Sequence, residues 1–75
     1  MKTTFKYIFS FTEYNTRLGE KRYRTKTLNL PCELFEQYDV EGMLRAFRSE
    51  ESKFTFSDSK VIVRTIKVGR TEFQI

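Results

Sequence analysis

Seventy-five residues with one cysteine, no histidine, and fourteen Lys or Arg against ten Asp or Glu exclude several kinds of protein at once. A single cysteine rules out an internal disulfide, and without histidine there is neither an imidazole base nor a His-containing zinc site. So short a chain buries only about 60% of its unfolded surface; it is expected to form one domain, 1–75, with eight Phe and four Tyr supplying the apolar area.

Lys2, Lys6, Ser10, Thr12 and Glu13 interrupt the first stretch too often for a signal peptide or a membrane span. The expected setting is therefore the cytoplasm, with no membrane partner. In Thr3–Thr12, Phe5, Tyr7, Phe9 and Phe11 alternate with Lys6, Ile8, Ser10 and Thr12, which predicts a strand with one strongly aromatic face. The polar stretch Glu13–Glu20, EYNTRLGE, suits a hairpin loop longer than the two-residue type.

A second strand is predicted over Lys21–Leu30. Its parity puts Arg22, Arg24 and Lys26 on the same face as Leu28 and Leu30, with Tyr23, Thr25, Thr27 and Asn29 on the other. Either a bulge near Lys26 switches faces, or the first half of the strand overhangs the core. In both cases the three cations form a row about 7 Å apart.

Pro31–Arg48 is the one stretch with helical spacing, carried by Val40, Met43, Leu44 and Phe47 and extended backwards by Leu34, Phe35 and Tyr38. Asp39 and Gly42 are poor interior residues, but Asp39 is a good N-cap. Two readings follow: one bent helix, or a turn at Cys32–Gln37 and then a helix from Val40. After the polar exit SEES, Lys53–Ser57 alternates like a strand, with Phe54 and Phe56 inward. Lys60–Val68 is the best central-strand candidate, and its parity slips near Arg64-Thr65, which signals a bulge or a sharp twist. Gly69-Arg70 either turns the chain into a last strand, Thr71–Ile75, or kinks one long strand. The expected fold class is α+β: a small, mostly antiparallel sheet, ββαββ with room for a fifth strand, and one helix packed on one face.

Catalytic signatures are missing. Gly19, Gly42 and Gly69 are scattered and make no phosphate loop. Cys32 lies near a helix start, where a thiol pKa can fall, but with no histidine as base it reads as a structural thiol. Glu33/Glu36 and Glu50/Glu51 read as a solvated face. Glu36, Asp39 and Glu41 lack the glycine turn and the ligand number of a calcium loop. The expectation is a non-enzymatic protein with no catalytic residue, cofactor or metal.

Charge is the informative feature. Residues 33–51 carry six acids against two bases, and the rest of the chain twelve bases against four acids. If the helix covers one face, the sheet side is the basic one. A basic sheet with interleaved aromatics suits phosphates and stacked bases. The expected nucleic-acid-binding residues are Arg17, Lys21, Arg22, Tyr23, Arg24, Lys26, Arg64 and Lys67, with Tyr14 as a second stacking candidate. A two-stranded ribbon such as Phe5–Leu30 would also fit a major groove. Known modules fit poorly: an RRM sheet needs two helices and a glycine-containing aromatic strand, and this helix is too acidic for a recognition helix. The alternative is a protein-interaction module, a small inhibitor or assembly factor of the phage or mobile-element type. It would meet an acidic partner surface or add a partner's strand at a sheet edge. The same edge makes a homodimer a candidate assembly.

Overall fold

The computed structural model describes residues 4–31 and 39–75. The expected turn at Cys32–Gln37 and the apolar extension through Leu34, Phe35 and Tyr38 lie outside the described residues. The elements are β1 (Thr4–Asn15), β2 (Glu20–Pro31), α1 (Val40–Glu50), a 3-10 turn (Glu51–Lys53), β3 (Ser59–Val68) and β4 (Thr71–Gln74). The strands form one antiparallel sheet in the order β2-β1-β3-β4. With α1 on one face, the fold is α+β, as the patterning predicts.

Alternation in β1 sends Tyr7, Phe9, Phe11 and Glu13 to the helix face, and all four are buried. Strand β1 lies between two neighbours, and its apolar residues form the floor of the core. From the helix, Phe47 meets Phe9 and Phe11 at ring centroid distances of 4.9 and 5.2 Å. Phe54, just past the helix, closes the cluster at 5.4 Å from Phe47 and 6.0 Å from Phe11. Tilted and edge-on pairs of this kind add about 0.5–1.5 kcal/mol each beyond area burial. Met43, Val61, Val63 and Ile66 complete the buried set.

Strand β3 contributes Val61, Val63, Ile66 and Val68 to one face because of a bulge, while Ile62 points the other way. Phe11 stands opposite Val63 and Ser10 opposite Thr65, so Arg64 is the extra residue. The inserted residue restores the parity that the sequence breaks between Val61/Val63 and Ile66/Val68. Gly69 (φ 59°) then opens the tight turn into β4, a separate strand whose Phe73 packs against the core.

The helix begins at Val40, the shorter of the two expected forms. The Asp39 carboxylate accepts the Gly42 N–H at 2.9 Å, satisfying one of the free donors of the first turn. Two expectations change. Lys53–Ser57 is not a strand: the Phe54 and Thr55 N–H groups both donate to the Glu51 carbonyl, so the helix exit winds through a 3-10 turn instead. The hairpin loop is also shorter than EYNTRLGE. The strands run on through Asn15 and resume at Glu20, because Asn15 folds a tight turn around itself. Its Oδ1 accepts the N–H groups of Arg17 and Leu18 at 3.0 Å each, its carbonyl accepts that of Gly19, and Gly19 takes φ 69°. Among the described residues no helix is long and apolar enough to cross a membrane.

Candidate nucleic-acid interface

The pairing of β2 with β1 is unbroken from Thr4–Pro31 to Asn15–Glu20. Phe11 stands opposite Arg24, Phe9 opposite Lys26 and Glu13 opposite Arg22, so the cation row of β2 faces the helix side. No bulge intervenes; the row runs past the helix and lies against the segment that follows it. Lys26 sits 5.1 Å from the Phe54 ring centroid, and Arg22 5.9 Å from that of Phe56.

Arg24 is anchored through its Nη1. Its guanidinium donates to Glu13 Oε1 at 3.0 Å and to the Phe54 carbonyl at 2.9 Å. Glu13 is only 2% exposed. Its second oxygen accepts the Phe56 N–H at 3.2 Å and the Ser59 hydroxyl at 3.0 Å. Burial pushes the Glu13 pKa upward, but Arg24 and these hydrogen bonds outweigh it and hold the carboxyl below its ordinary value. One carboxylate thus ties together β1, β2, the post-helix segment and the start of β3. Arg24 is a structural cation, and the helix side is where Arg22 and Lys26 lie as well. The expectation that Arg22, Arg24 and Lys26 share a sheet face with Arg64 and Lys67 is therefore corrected by the register.

The face away from the helix can be read row by row from the pairings. Lys21, Tyr14 and Lys60 form one row; Tyr23, Thr12 and Ile62 the next; then Thr25, Ser10, Thr65 and Gln74; then Thr27, Ile8, Lys67 and Glu72; and last Asn29 and Lys6. Arg64 projects from the bulge between the second and third rows. Rows on one face are about 7 Å apart and neighbouring strands about 4.8 Å.

The cations concentrate at the hairpin end of this face. The Arg64 guanidinium lies 5.0 Å from the Tyr23 ring centroid, and the Lys21 ammonium 5.2 Å from it. Arg64 belongs to β3 and Tyr23 to β2, so the contact spans β1; Thr12 between them is 4% exposed although it lies on the uncovered face. Tyr23 itself stays 65% exposed. A hydrogen bond with Tyr23, and then the charge interaction with Tyr23 and Tyr14, hold the Lys21 pKa above its ordinary value. Among the described residues the first three rows carry no acid on this face; Glu72 is the acid of the fourth, opposite Lys67.

Of the eight residues expected to bind, Lys21, Tyr23, Arg64 and Lys67 share this open face. Arg22, Arg24 and Lys26 occupy the other, and Arg17 sits exposed in the hairpin turn. Lys60, Lys6, Ile8 and Ile62 join the open face beyond the expected set, and Tyr14 joins as a second ring. Their signal was parity: once Val61, Val63, Phe9 and Phe11 are inward, residues 60, 62, 8 and 6 must point the other way. The grooves formed by Arg48, Glu51 and Ser59, and by Asn15, Leu18 and Arg22, both bordered by Phe56, lie at the helix side and the hairpin tip, away from this patch. No protein-family model, curated protein or solved structure matches the chain.

Proposed function

We propose that the chain is a small non-enzymatic nucleic-acid-binding protein and that the open sheet face is its binding surface. The observation that carries this reading is the grouping of Lys21 and Arg64 around the exposed Tyr23, with Lys60 in the neighbouring row opposite Tyr14 and no acid in the first three rows among the described residues. Phosphates would be met by the cations with release of counterions, and Thr25, Ser10 and Thr65 offer hydroxyls beside them. The helix side plays a different part, because its Arg24 is already paired with Glu13. A reducing compartment such as the cytoplasm is the setting we infer from the lone cysteine.

The test is fluorescence anisotropy with labelled oligonucleotides at about 50 mM salt, repeated at higher salt. Binding should weaken on a log–log slope of roughly −2 to −3, the response to three or four phosphate contacts on a single strand. Lys60→Glu with Arg64→Glu should abolish it. Arg45→Glu with Lys53→Glu makes the same change of net charge on the helix side and should cost far less. Equal losses from the two pairs, or no binding at the lowest salt, would defeat the reading.

A second reading has one observation of its own. Strand β2 is a sheet edge along all twelve of its residues, Glu20–Pro31. An acidic strand from a protein partner could add there, its carboxylates opposite Arg22 and Lys26. Charge reversals on β3 would leave that contact intact, which separates the two readings.

A further inference from the structure

We infer that the open face takes a single strand in preference to a duplex, with one base stacked at Tyr23 and the neighbouring phosphates on Lys21, Lys60 and Arg64. This rests on the nucleic-acid reading above and narrows it to one conformation of the ligand.

The shape of the surface is the first reason. A major groove about 12 Å wide admits a helix or a two-stranded ribbon. The β1–β2 hairpin is not a free ribbon. Strand β3 pairs with β1 from Tyr7 to Asn15, and the segment after the helix is bonded to Glu13 and Arg24 on the opposite face. At the Tyr23 row the sheet is three strands wide, about 10 Å between the outer backbones before side chains are added. That surface cannot enter a groove. Against a duplex it would touch only the phosphate ridge and would leave Tyr23 without a base to contact.

The second reason is the ring. Tyr23 is 65% exposed on the open face, with the Arg64 guanidinium from β3 and the Lys21 ammonium from its own strand each about 5 Å from the ring centroid. An exposed ring with a guanidinium beside it offers an unpaired base two planes to stack on, the open part of the ring and the guanidinium itself. Unstacked bases are available in single strands and are hidden in duplexes. The third reason is the order of the rows. Beyond the Tyr23 row comes an uncharged row of Thr25, Ser10, Thr65 and Gln74, and then Thr27, Ile8, Lys67 and Glu72. Polar side chains able to donate and accept are followed by an apolar contact and a cation that stands opposite Glu72, so the phosphates are met at the Tyr23 end of the face. That sequence matches base edges and a backbone laid along the strands over about 20 Å, the span of six residues.

The experiment is a competition. A labelled single strand of about twelve nucleotides is displaced from the protein by unlabelled single strand or by the same sequence as duplex, in DNA and in RNA. The wild type, Tyr23→Phe and Tyr23→Ala are compared, with far-UV circular dichroism confirming the fold of each. The single strand should compete at least five times better than the duplex for the wild type and for Tyr23→Phe. Tyr23→Ala should lose about five- to one-hundred-fold for the single strand and little for the duplex, the loss of one stacked base. A duplex that competes as well as the single strand, or a Tyr23→Ala protein that binds single strands normally, overturns the inference and leaves the binding function standing. Failure of every nucleic acid to bind overturns both.

Discussion

Glu13 is the residue whose replacement discriminates most sharply between a held-together fold and a merely collapsed one. Glu13→Gln keeps the shape and removes the charge. The carboxylate accepts from Arg24, the Phe56 N–H and the Ser59 hydroxyl, and the amide can accept at only one of its two atoms. Removing one partner of a fully buried ion pair costs about 3–5 kcal/mol. The Arg24 side chain is 37% exposed, so water recovers part of that, and a loss of about 2–3 kcal/mol is expected. In a domain of this size that is a fall in Tm of roughly 10–20 °C. The sign of the pH dependence follows from the depressed carboxyl. Its stabilisation is complete above the unfolded value of about 4.3 and is lost as pH falls through the lower folded value. Urea unfolding of wild type and Glu13→Gln, followed by circular dichroism at neutral pH and at about pH 3, measures both effects, because every other carboxylate titrates equally in the two proteins. The gap should be widest at neutral pH and close on acidification. A gap that is the same at both pH values would refute the argument, since it would mean that the lost hydrogen-bond acceptor matters at the junction and the charge does not.

Other outcomes follow from the same contacts. Phe47→Ala opens the centre of the Phe9, Phe11 and Phe54 cluster and should cost about 3–5 kcal/mol; with a total stability near 5 kcal/mol, circular dichroism should show a marginal fold at 25 °C that melts on slight warming or in low urea. Asp39→Ala removes the helix cap and should cost about 1 kcal/mol by the same denaturation assay. Gly69→Ala meets no atom within 4 Å but must adopt φ 59°, so a loss of about 1 kcal/mol is expected from the backbone alone. Arg22→Thr with Lys26→Thr should leave the monomer folded and promote self-association, read by sedimentation velocity, because it strips the like charges from the β2 edge.

Much of this architecture was legible in the sequence. Alternation located β1 and β2, and the parity slip located the Arg64 bulge before any pairing was known. Asp39 marked the helix start. The features that escaped are those that depend on a partner distant in the chain. Five residues of alternation, Lys53–Ser57, fit a strand and a helix exit equally; the Glu51 carbonyl, by capturing two N–H groups, decides for the exit. Glu13 sits among polar neighbours and looks like loop, and only its bonds to Arg24, Phe56 and Ser59 make it a buried strand residue. The candidate site divided for the same reason. Composition shows an excess of cations outside residues 33–51, but the face each one takes is set by pairing with β1. Phe11 opposite Arg24 sends one set inward, and Tyr14 opposite Lys21 sends the other set out.

That division of β2 gives its cations two physical tasks. The even-numbered set, Arg22, Arg24 and Lys26, closes the rim of an aromatic core too small to close itself: the Arg22 and Lys26 charged groups lie against the Phe56 and Phe54 rings, and the Arg24 guanidinium is bonded to Glu13. The same set guards the edge. Two copies pairing antiparallel along β2 about an axis through the sheet must match even residues with even, because a two-fold of that kind keeps the faces. Centred on Thr25, such a pairing puts Arg24 opposite Lys26 twice; centred on Lys26, it puts that residue opposite itself. Like charges directly opposed on a sheet are destabilising, so the longer edge of the sheet is set against its own copy and remains open to strands that carry carboxylates. The odd-numbered set has neither task. Lys21 and Tyr23 seal no core and guard no edge, and Arg64, delivered to them by a bulge in another strand, has no acid partner among the described ion pairs. Cations freed from structural duty and gathered around an exposed ring are what separates this face from an ordinary solvated sheet, and a polyanion is the ligand that would use them.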